Sequence, residues 1–282
     1  MFSFLKKFKS NTANKGIITL ADQHYFAGLL MLYHSVQRSF PVPVVCFDIG
    51  ITDEQKAQAA KFNNLEIRPI PDTEHIRIIK NTLDDEALLK QGKRQWPLWI
   101  CPFLIAASPY RQTFWLDSDI VVLRNLDAMF ALLDDGPVFT PENNAPHRTA
   151  NKPELYDLLP IERKFDISQP TANGGVSGWD LVRDKEVLDA YMYPIIQAFQ
   201  NQAVKDAISW HDQGALIWAI QKTANEARLV KDWKWNLCVK HTAAYKREYL
   251  WQPSAIKQLA KDVPEANLLH WNGVKVPWAD ES

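Results

Sequence analysis

The sequence predicts an α/β fold, with a mixed but mostly parallel sheet flanked by helices. Short apolar runs at residues 16–21, 42–47 and 65–70 are typical of buried strands, and helical patterns fill the segments between them. Strands that alternate with helices pair in parallel through right-handed crossovers, and such sheets bind ligands beyond the carboxyl ends of their strands. With 282 residues, 46% of them hydrophobic, the chain can bury one large core.

The helices between these strands have clear sequence signals. Apolar residues recur at intervals of three and four residues at Tyr25, Leu29, Leu32, Tyr33 and Val36. This pattern predicts a first helix that ends before Pro41. Thr52 and Gln55 have the spacing of a capping box, which predicts a second helix from there to about Phe62.

The later elements are predicted from the same kinds of pattern. They are, in order, a proline-containing helix at 96–108, strands at 114–122 and 137–140, and helices at 181–199 and 212–222. The polar segment 141–171, which contains several prolines, is typical of a lid or binding loop. Neither a repeat nor a linker interrupts this order, which predicts a single domain with a C-terminal extension.

The composition narrows the class of protein. A formal net charge of −1 gives no field that attracts nucleic acid, so nucleic-acid binding is not expected. The three cysteines, Cys46, Cys101 and Cys238, lie far apart within apolar runs, which predicts buried thiols and a reducing compartment. No apolar run approaches the roughly 20 residues that span a bilayer, so the sequence predicts a cytoplasmic protein.

Residues 1–15 form a distinct N-terminal tail. Phe2, Phe4, Leu5 and Phe8 are interleaved with lysines, a pattern typical of a basic amphipathic helix. Such a helix binds anionic membrane surfaces, which would give peripheral association with the inner face of the membrane. The alternative is a terminal segment that packs one or two aromatic side chains.

The stretch Phe114–Val122 contains the most consequential charges. Asp117 and Asp119 interrupt an apolar run one residue apart, and alternation along a strand would point both carboxylates the same way. Neighbouring carboxylates repel each other and are costly to bury, so they need a metal ion, a basic partner or open water. Oxygen ligands suit Mg²⁺ or Mn²⁺. The structural alternative is an aspartate pair that caps a turn and pairs with Arg124.

Other segments carry polar groups that could meet this pair. Ala21 and Asp22 end the first strand and are expected at the same rim of the sheet. The glycine-rich segment 173–179 permits close backbone approach to a ligand, or equally a tight turn or bulge. Residues 211–213 open a helix, where polar groups also serve as caps, and 268–278 form an irregular tail with further candidate ligands.

In this order the segments resemble those of the family 8 glycosyltransferases and related GT-A enzymes, which use nucleotide-sugar donors. The family's Ala-Asp-x-x-Tyr segment matches Ala21-Asp22-Gln23-His24-Tyr25, and its Asp-x-Asp signature matches Asp117-Ser118-Asp119. Its Asn-Ala-Gly-Val loop is similar to Asn173-Gly174-Gly175-Val176, and its Asp-Gln pair to Asp212-Gln213. Its C-terminal His-x-x-Gly-x-x-Lys-Pro-Trp motif resembles His270 to Trp278.

The resemblance implies a GT-A (Rossmann-like) fold and a role for each matched residue. Asp117, Asp119 and His270 would ligate Mn²⁺ or Mg²⁺. The residues implied to bind the UDP-sugar are Ala21, Asp22, Tyr25, Arg94, Ser118, Asn173, Gly174, Gly175, Gly273 and Lys275. Within that set Asp22 would hydrogen-bond uracil and Tyr25 would stack on it. The catalytic residues would be Asp212 and Gln213, beside the anomeric carbon of the donor.

The C-terminal match departs from the family pattern at one point. Lys275 lies one position early, and Val276 occupies the position of the family's lysine. Lys275 would contact the donor diphosphate, and Lys93 or Arg94 is the alternative source of that positive charge.

The activity that the resemblance implies is transfer of a hexose-type sugar from a UDP-sugar to a hydroxyl of a glycan or glycolipid acceptor. It implies retention of anomeric configuration, and synthesis of bacterial lipopolysaccharide or another surface glycan. Residues 16–282 would form the domain, with 16–140 binding the nucleotide and 141–282 the sugar and acceptor.

Two alternatives belong to other classes of protein. A haloacid-dehalogenase-like phosphatase also has an Asp-x-Asp motif, with Asp117 as nucleophile, but its motif lies on an early strand. A non-catalytic carbohydrate-binding protein would use the 11 tryptophans, but it leaves Asp117, Asp119 and His270 without a shared task.

Overall fold

The protein is described here from a computed structural model. The structure describes residues 14–84, 95–141, 151–164, 171–242, 244–245, 253–272 and 276. The strands are β1 (Lys15–Ala21), β2 (Val44–Asp48), β3 (Leu65–Pro69), β4 (Gln112–Leu116), β5 (Ile120–Val122), β6 (Val138–Pro141), β7 (Ala172–Asp180), β8 (Leu237–Cys238) and β9 (Leu268–His270). The helices are α1 (Phe26–Ser39), α2 (Asp53–Ala59), α3 (Glu74–Leu83), α4 (Cys101–Ala106), α5 (Leu126–Ala131), α6 (Glu154–Leu158), α7 (Lys185–Ala198), α8 (Gln202–Ala207), α9 (Asp212–Lys222) and α10 (Pro253–Asp262).

Six strands form the main sheet, in the order β3-β2-β1-β4-β7-β6. β1 pairs in parallel with β2 and β4, and β2 pairs in parallel with β3. β7 is antiparallel to both β4 and β6. The predicted mixed, mostly parallel sheet flanked by helices is therefore confirmed.

Alternate residues of the central strands enter two different cores. Ile18 of β1 and Trp115 of β4 lie in one cluster, which packs against α4, α7 and α9. Ile17 and Phe114, their neighbours in sequence, lie in a second cluster with α1 and α5. Because strand side chains alternate between faces, the two clusters cover the two sides of the sheet.

The first three helices show how far local sequence determines local structure. α1 and the capping box of α2 agree with the predictions, since Thr52 Oγ1 accepts from Gln55 N at 3.2 Å and Gln55 Oε1 accepts from Thr52 N at 3.1 Å. α3 was not predicted as a helix. Its Thr73 cap accepts from Ile76 N at 3.3 Å, and it buries only Ile76 and Ile79.

The predicted strand over 114–122 is wrong, because the chain turns within it. β4 ends at Leu116, and the N–H group of Ile120 donates to the carbonyl of Asp117 at 3.1 Å to close a turn. β5 then joins β9 and β8 in a separate three-stranded sheet. The buried hydroxyl of Ser35 on α1 holds β5 there by accepting from Val122 N at 2.9 Å.

Two further segments differ from the sequence prediction. Residues 173–179, expected as a loop, lie inside β7, where every residue is buried. His270, expected on an irregular tail, ends β9, in which Leu268, Leu269 and His270 face Val122, Val121 and Ile120 of β5. Both segments gain strand structure through pairing with distant parts of the chain, which local sequence does not encode.

The three cysteines are all buried thiols, as predicted. Within the described ranges, no helix has both the length and the apolar character needed to cross a bilayer. The N-terminal tail lies outside these ranges up to residue 13, as do residues 85–94 and much of the predicted lid at 142–150 and 165–170.

Candidate active site

The carboxyl end of β4 brings together three side chains that could ligate a metal. Asp117 and Asp119 lie on the turn after β4, and His270 faces Ile120 across the β5–β9 pairing. His270 Nε2 lies 3.1 Å from Asp119 Oδ1 and 3.7 Å from Asp117 Oδ2. One ligand atom from each residue lies within 4.8 Å of the other two. The two aspartates therefore meet as predicted, although a turn brings them together instead of strand alternation.

This group fits a divalent cation. Two carboxylates and an imidazole nitrogen converge on one point. The two carboxylates carry like charges and repel each other at this distance, and a cation between them would remove that electrostatic cost. Arg124, the basic partner of the structural alternative, instead donates from Nη2 to the carbonyl of Ala260 at 2.8 Å, near the C-terminus of α10. The Asp117 side chain is 40% exposed, so an ion from solvent can reach it.

Among the described residues, the acidic groups of the site raise the pKa of their neighbours. Burial, and next the charge of Asp119, raise the pKa of Asp117 above its ordinary value, while His270 acts in the opposite direction. Burial, and next the charge of Asp117, raise the pKa of Asp212 to about 7. The pKa of Tyr25 is raised to about 12 by burial and then by the charge of Asp119. Tyr25, Asp117 and Asp212, which lie far apart in the sequence, are therefore close enough in the fold for their pKa values to depend on the charges of the same aspartates.

β7 passes directly beside the carboxylates, and this requires glycine. A Cβ atom on Gly175 would lie 2.6 Å from Asp117 Oδ2 and 2.6 Å from His270 Cε1. The carbonyl of Gly175 also accepts from Asp117 N at 2.9 Å, which fixes the start of the turn. Close approach to the candidate ligands thus explains Gly175, although the segment is a strand and not the expected loop, whereas a Cβ atom on Gly174 would meet nothing closer than 3.4 Å.

The start of α9 is joined to β7 by hydrogen bonds. Gln213 Oε1 accepts from Gly174 N and from Asn173 Nδ2, both at 3.1 Å. The Tyr191 hydroxyl donates to Asp212 Oδ2 at 3.4 Å. His211, just before α9, has a φ of 59°, which an L-residue rarely adopts. Asp212 and Gln213 therefore lie beside Gly174.

The segment after β1 lies on the other side of the aspartates. β1 and β4 are adjacent, so Ala21 and Asp22 lie at the same rim of the sheet as Asp117. Asp22 Oδ1 accepts from His24 N at 2.9 Å and from Tyr25 N at 3.0 Å. Its second oxygen takes part in neither bond. Tyr25 as a whole residue is 39% exposed.

Comparison with known proteins gives structural matches alone. Neither a protein-family model nor a curated protein matches the sequence. The bifunctional glycosyltransferase WbbM, in its apo form, has a TM-score of 0.58 at 12% identity, covering 97% of this chain and 48% of WbbM. The galactosyltransferase LgtC, in complex with donor and acceptor sugar analogues, has a TM-score of 0.60 at 16% identity, covering 93% of this chain and 89% of LgtC.

A third neighbour is core-mannan synthase A from Aspergillus fumigatus in its Mn/GDP form. Its TM-score is 0.52 at 15% identity, covering 78% of this chain and 73% of the synthase. This chain has the GT-A fold. It spans about half the length of WbbM and most of LgtC.

Part of the predicted site lies outside the described residues of this GT-A fold. Three predicted donor contacts, Arg94, Gly273 and Lys275, are in this group, as are Lys93, Pro277 and Trp278. Ser118 is described and buried, between the two aspartates.

Two residues next to the candidate ligands were missed by the sequence analysis. Trp115 Nε1 donates to Asp117 Oδ1 at 2.9 Å, and Asn236 Oδ1 lies 2.9 Å from His270 Nδ1. Trp115 has the alternation of an ordinary core residue, so only its position two residues before an aspartate could have identified it. Nothing in the sequence around Asn236 distinguishes it from other asparagines.

Proposed function

We propose that this protein is a metal-dependent glycosyltransferase that moves a hexose-type sugar from a UDP-sugar to a hydroxyl of a glycan or glycolipid acceptor. The observation that carries the proposal is the cluster of Asp117, Asp119 and His270, which lies against Gly175 of β7 and close enough to Asp212 for Asp117 to raise its pKa. A site for a nucleotide-sugar must provide a cation for the diphosphate, room for the sugar, and polar groups beside the bond that breaks.

Mn²⁺ is the proposed cofactor, with Mg²⁺ as the alternative. The donor set mixes carboxylate oxygens, which both ions accept, with an imidazole nitrogen, which magnesium accepts less readily. The neighbour core-mannan synthase A was solved with Mn and GDP. A cation held by Asp117, Asp119 and His270 would neutralise charge on the departing diphosphate.

The nucleoside is proposed to bind beyond the carboxyl end of β1. Ala21, Asp22 and Tyr25 offer a backbone edge, a carboxylate oxygen and an aromatic ring, which suit a base that is hydrogen-bonded and stacked. Ser118 would contribute its backbone to the ribose. Arg94, Gly273 and Lys275 are proposed to complete the contacts with the diphosphate.

The sugar is proposed to lie along β7, against Asn173, Gly174 and Gly175. Asp212 and Gln213 would then lie beside the anomeric carbon, with Gln213 held in place by its bonds to β7. Since the charge of Asp117 contributes to the raised pKa of Asp212, neutralising Asp117 favours ionised Asp212. An ionised Asp212 could stabilise positive charge on the sugar or attack it transiently, and either role is compatible with retention of configuration.

The acceptor is proposed to be a bacterial lipopolysaccharide or another surface glycan. The neighbour LgtC was crystallised with donor and acceptor sugar analogues, and the basic N-terminal tail would hold the enzyme near a membrane-bound acceptor.

The test combines turnover with binding. The protein is incubated with a panel of UDP-sugars and GDP-sugars, Mn²⁺ and candidate acceptors, while nucleotide release and nucleotide affinity are measured. We expect Mn²⁺-dependent binding of UDP that is lost in the Asp117→Ala, Asp119→Ala double variant. The matched control is Asp134→Ala, Asp135→Ala, which removes the same charge from an exposed turn. Metal-dependent nucleotide binding that survives in the first double variant contradicts the proposed metal site.

The same assay separates the alternatives. A phosphatase that uses Asp117 as nucleophile would release phosphate from phosphoesters and bind no nucleotide. A carbohydrate-binding protein would bind glycans without releasing a nucleotide. The GT-A fold supports the transferase over both, since its neighbours WbbM and LgtC are glycosyltransferases.

A further inference from the structure

A chain of buried amides connects the backbone of β7 to His270. It begins at Gly175, whose N–H group lies 3.0 Å from the side chain of Asn173. A backbone N–H group can only donate, so the Asn173 atom that it faces must be the acceptor, Oδ1. The other end of Asn173, Nδ2, faces Gln213 Oε1 at 3.1 Å, and Gly174 N identifies that atom as an oxygen in the same way. The backbone thus fixes the orientation of both amides.

Asn236 continues the chain. One of its side-chain atoms lies 2.9 Å from Asn173 Oδ1 and 3.1 Å from Thr140 Oγ1. Because Asn173 Oδ1 can only accept, this atom must be the donor, Nδ2. The remaining atom is therefore Oδ1, and it faces His270 Nδ1 at 2.9 Å. A carbonyl oxygen can only accept, so Nδ1 of His270 carries a hydrogen.

The hydrogen on Nδ1 determines what the other ring nitrogen of His270, Nε2, can do. With hydrogen on Nδ1, a neutral imidazole presents the lone pair of Nε2, the atom 3.1 Å from Asp119 Oδ1. This is the tautomer that a metal ligand needs. Asn173, Asn236 and His270 are 3%, 4% and 2% exposed, so water has little access to compete for these bonds.

We propose that Asn236 is a positioning residue that holds His270 as the Nδ1–H tautomer, with Nε2 directed to the metal point between Asp117 and Asp119. The inference rests on the proposed function, because it assumes that a cation binds there. It adds that the affinity for the cation depends on an amide that touches neither the cation nor the substrate. Through Asn173, this amide is also joined to Gln213 at the proposed sugar end of the cleft.

The first test measures Mn²⁺ affinity by electron paramagnetic resonance of the free ion, without substrate or turnover. We expect Asn236→Ala to weaken binding by about 10- to 100-fold, the range for loss of a group that orients a metal ligand. Thr140→Val is the matched control. It removes the other buried partner of Asn236 Nδ2 but leaves the oxygen that faces His270, so its affinity should remain much closer to that of the unaltered protein.

The second test reads the tautomer directly. In metal-free, ¹⁵N-histidine-labelled protein at about pH 9, where an ordinary imidazole is neutral, His270 should show hydrogen on Nδ1. Asn236→Ala should lose this preference. Asn236→Asp should retain it, because a carboxylate also accepts from Nδ1, and it should still bind Mn²⁺.

The outcomes distinguish the two proposals. If the unaltered protein binds no Mn²⁺, the proposed metal site fails. If it binds Mn²⁺ and Asn236→Ala binds equally well, or if His270 carries its hydrogen on Nε2 in the unaltered protein, the role of Asn236 is overturned and the metal site stands. Should Asn236→Ala fail to fold, Asn236→Asp decides: loss of the Nδ1–H tautomer or of Mn²⁺ binding in that variant overturns the role.

Discussion

Trp115 Nε1 donates a hydrogen bond of 2.9 Å to Asp117 Oδ1, so a core tryptophan orients a candidate metal ligand. Trp115 lies near the end of β4, just before the chain turns. Because its hydrogen bond goes to Asp117 Oδ1, the other oxygen, Oδ2, is the one that faces His270. A bond from a neutral donor to a charged acceptor is among the stronger hydrogen bonds in proteins.

We therefore expect Trp115→Phe to weaken Mn²⁺ binding by about tenfold while the protein stays folded, because the aromatic ring is kept and the donor is lost. Isothermal titration with Mn²⁺ measures this. Trp179→Phe is the matched control, since Trp179 is also a buried tryptophan but its Nε1 donates to Ser177 Oγ instead of a candidate ligand. Equal losses in the two variants would contradict a specific role for Trp115.

Gly175→Ala should impair the metal site far more than Gly174→Ala. A Cβ atom at 175 would lie 2.6 Å from Asp117 Oδ2, whereas the nearest atom to a Cβ at 174 is Gln213 Cβ at 3.4 Å, an ordinary contact. We expect at least a roughly tenfold loss of Mn²⁺ affinity in the first variant, the scale of a displaced ligand. Titration of both variants measures the difference, and similar affinities would contradict the close packing of β7 against the carboxylates.

Mn²⁺ should stabilise the protein, because a cation relieves repulsion between Asp117 and Asp119 and binds only the folded state. At about 100 times its dissociation constant, the gain of roughly 2.7 kcal/mol should raise the Tm by about 5 °C, and chelation should reverse it. Differential scanning calorimetry measures the shift. In Asp117→Asn, Asp119→Asn the shift should vanish while the metal-free Tm rises; an unchanged Mn²⁺ shift would show that the ion binds elsewhere.

Asp212→Asn should stabilise the metal-free protein at pH 8 but much less at pH 5. The pKa of Asp212 is raised to about 7, first by burial and then by Asp117. An aspartate in the unfolded chain ionises near pH 4, so the folded state holds the proton more tightly between about pH 4 and 7, and stability falls as the pH rises through that window. Above about pH 7 the folded protein carries the full cost of ionising Asp212, on the order of 1–3 kcal/mol in the free energy of unfolding.

Thermal unfolding of Asp212→Asn at the two pH values measures this effect. Asp206→Asn, an exposed aspartate on α8, is the control and should show no such pH dependence. A stabilisation of Asp212→Asn that is the same at pH 5 and pH 8 would mean that Asp212 is not the titrating group.

The sequence predicts the parts of the fold that depend on local pattern. α1 follows from apolar periodicity and α2 from the Thr52 capping box, and β1 to β3 follow from apolar runs. The position of Ala21 and Asp117 at the same edge of the sheet follows as well, since it depends only on strands that run in parallel, whereas the pairing of β1 with β4 does not follow.

What the sequence cannot predict depends on contacts between distant segments. β9 is a strand because it pairs with β5 and β8, and none of the three has enough residues to show a pattern of its own. The turn at Asp117 leads β5 into its pairing with the distant β9, and Ser35 on α1 accepts a hydrogen bond from β5 there. Asn236 is placed by Thr140 and Asn173, which lie far from it in the sequence.

The pairing of β9 between β5 and β8 also determines when the site can form. Asp117 and Asp119 leave the ribosome long before His270, since about half of the chain lies between them. Until the last strand is inserted, the two carboxylates lack their nitrogen partner and Val121 lacks the cover of Leu269. The three candidate ligands therefore meet only in a chain in which β9, the last of the described strands, has paired with β5 and β8.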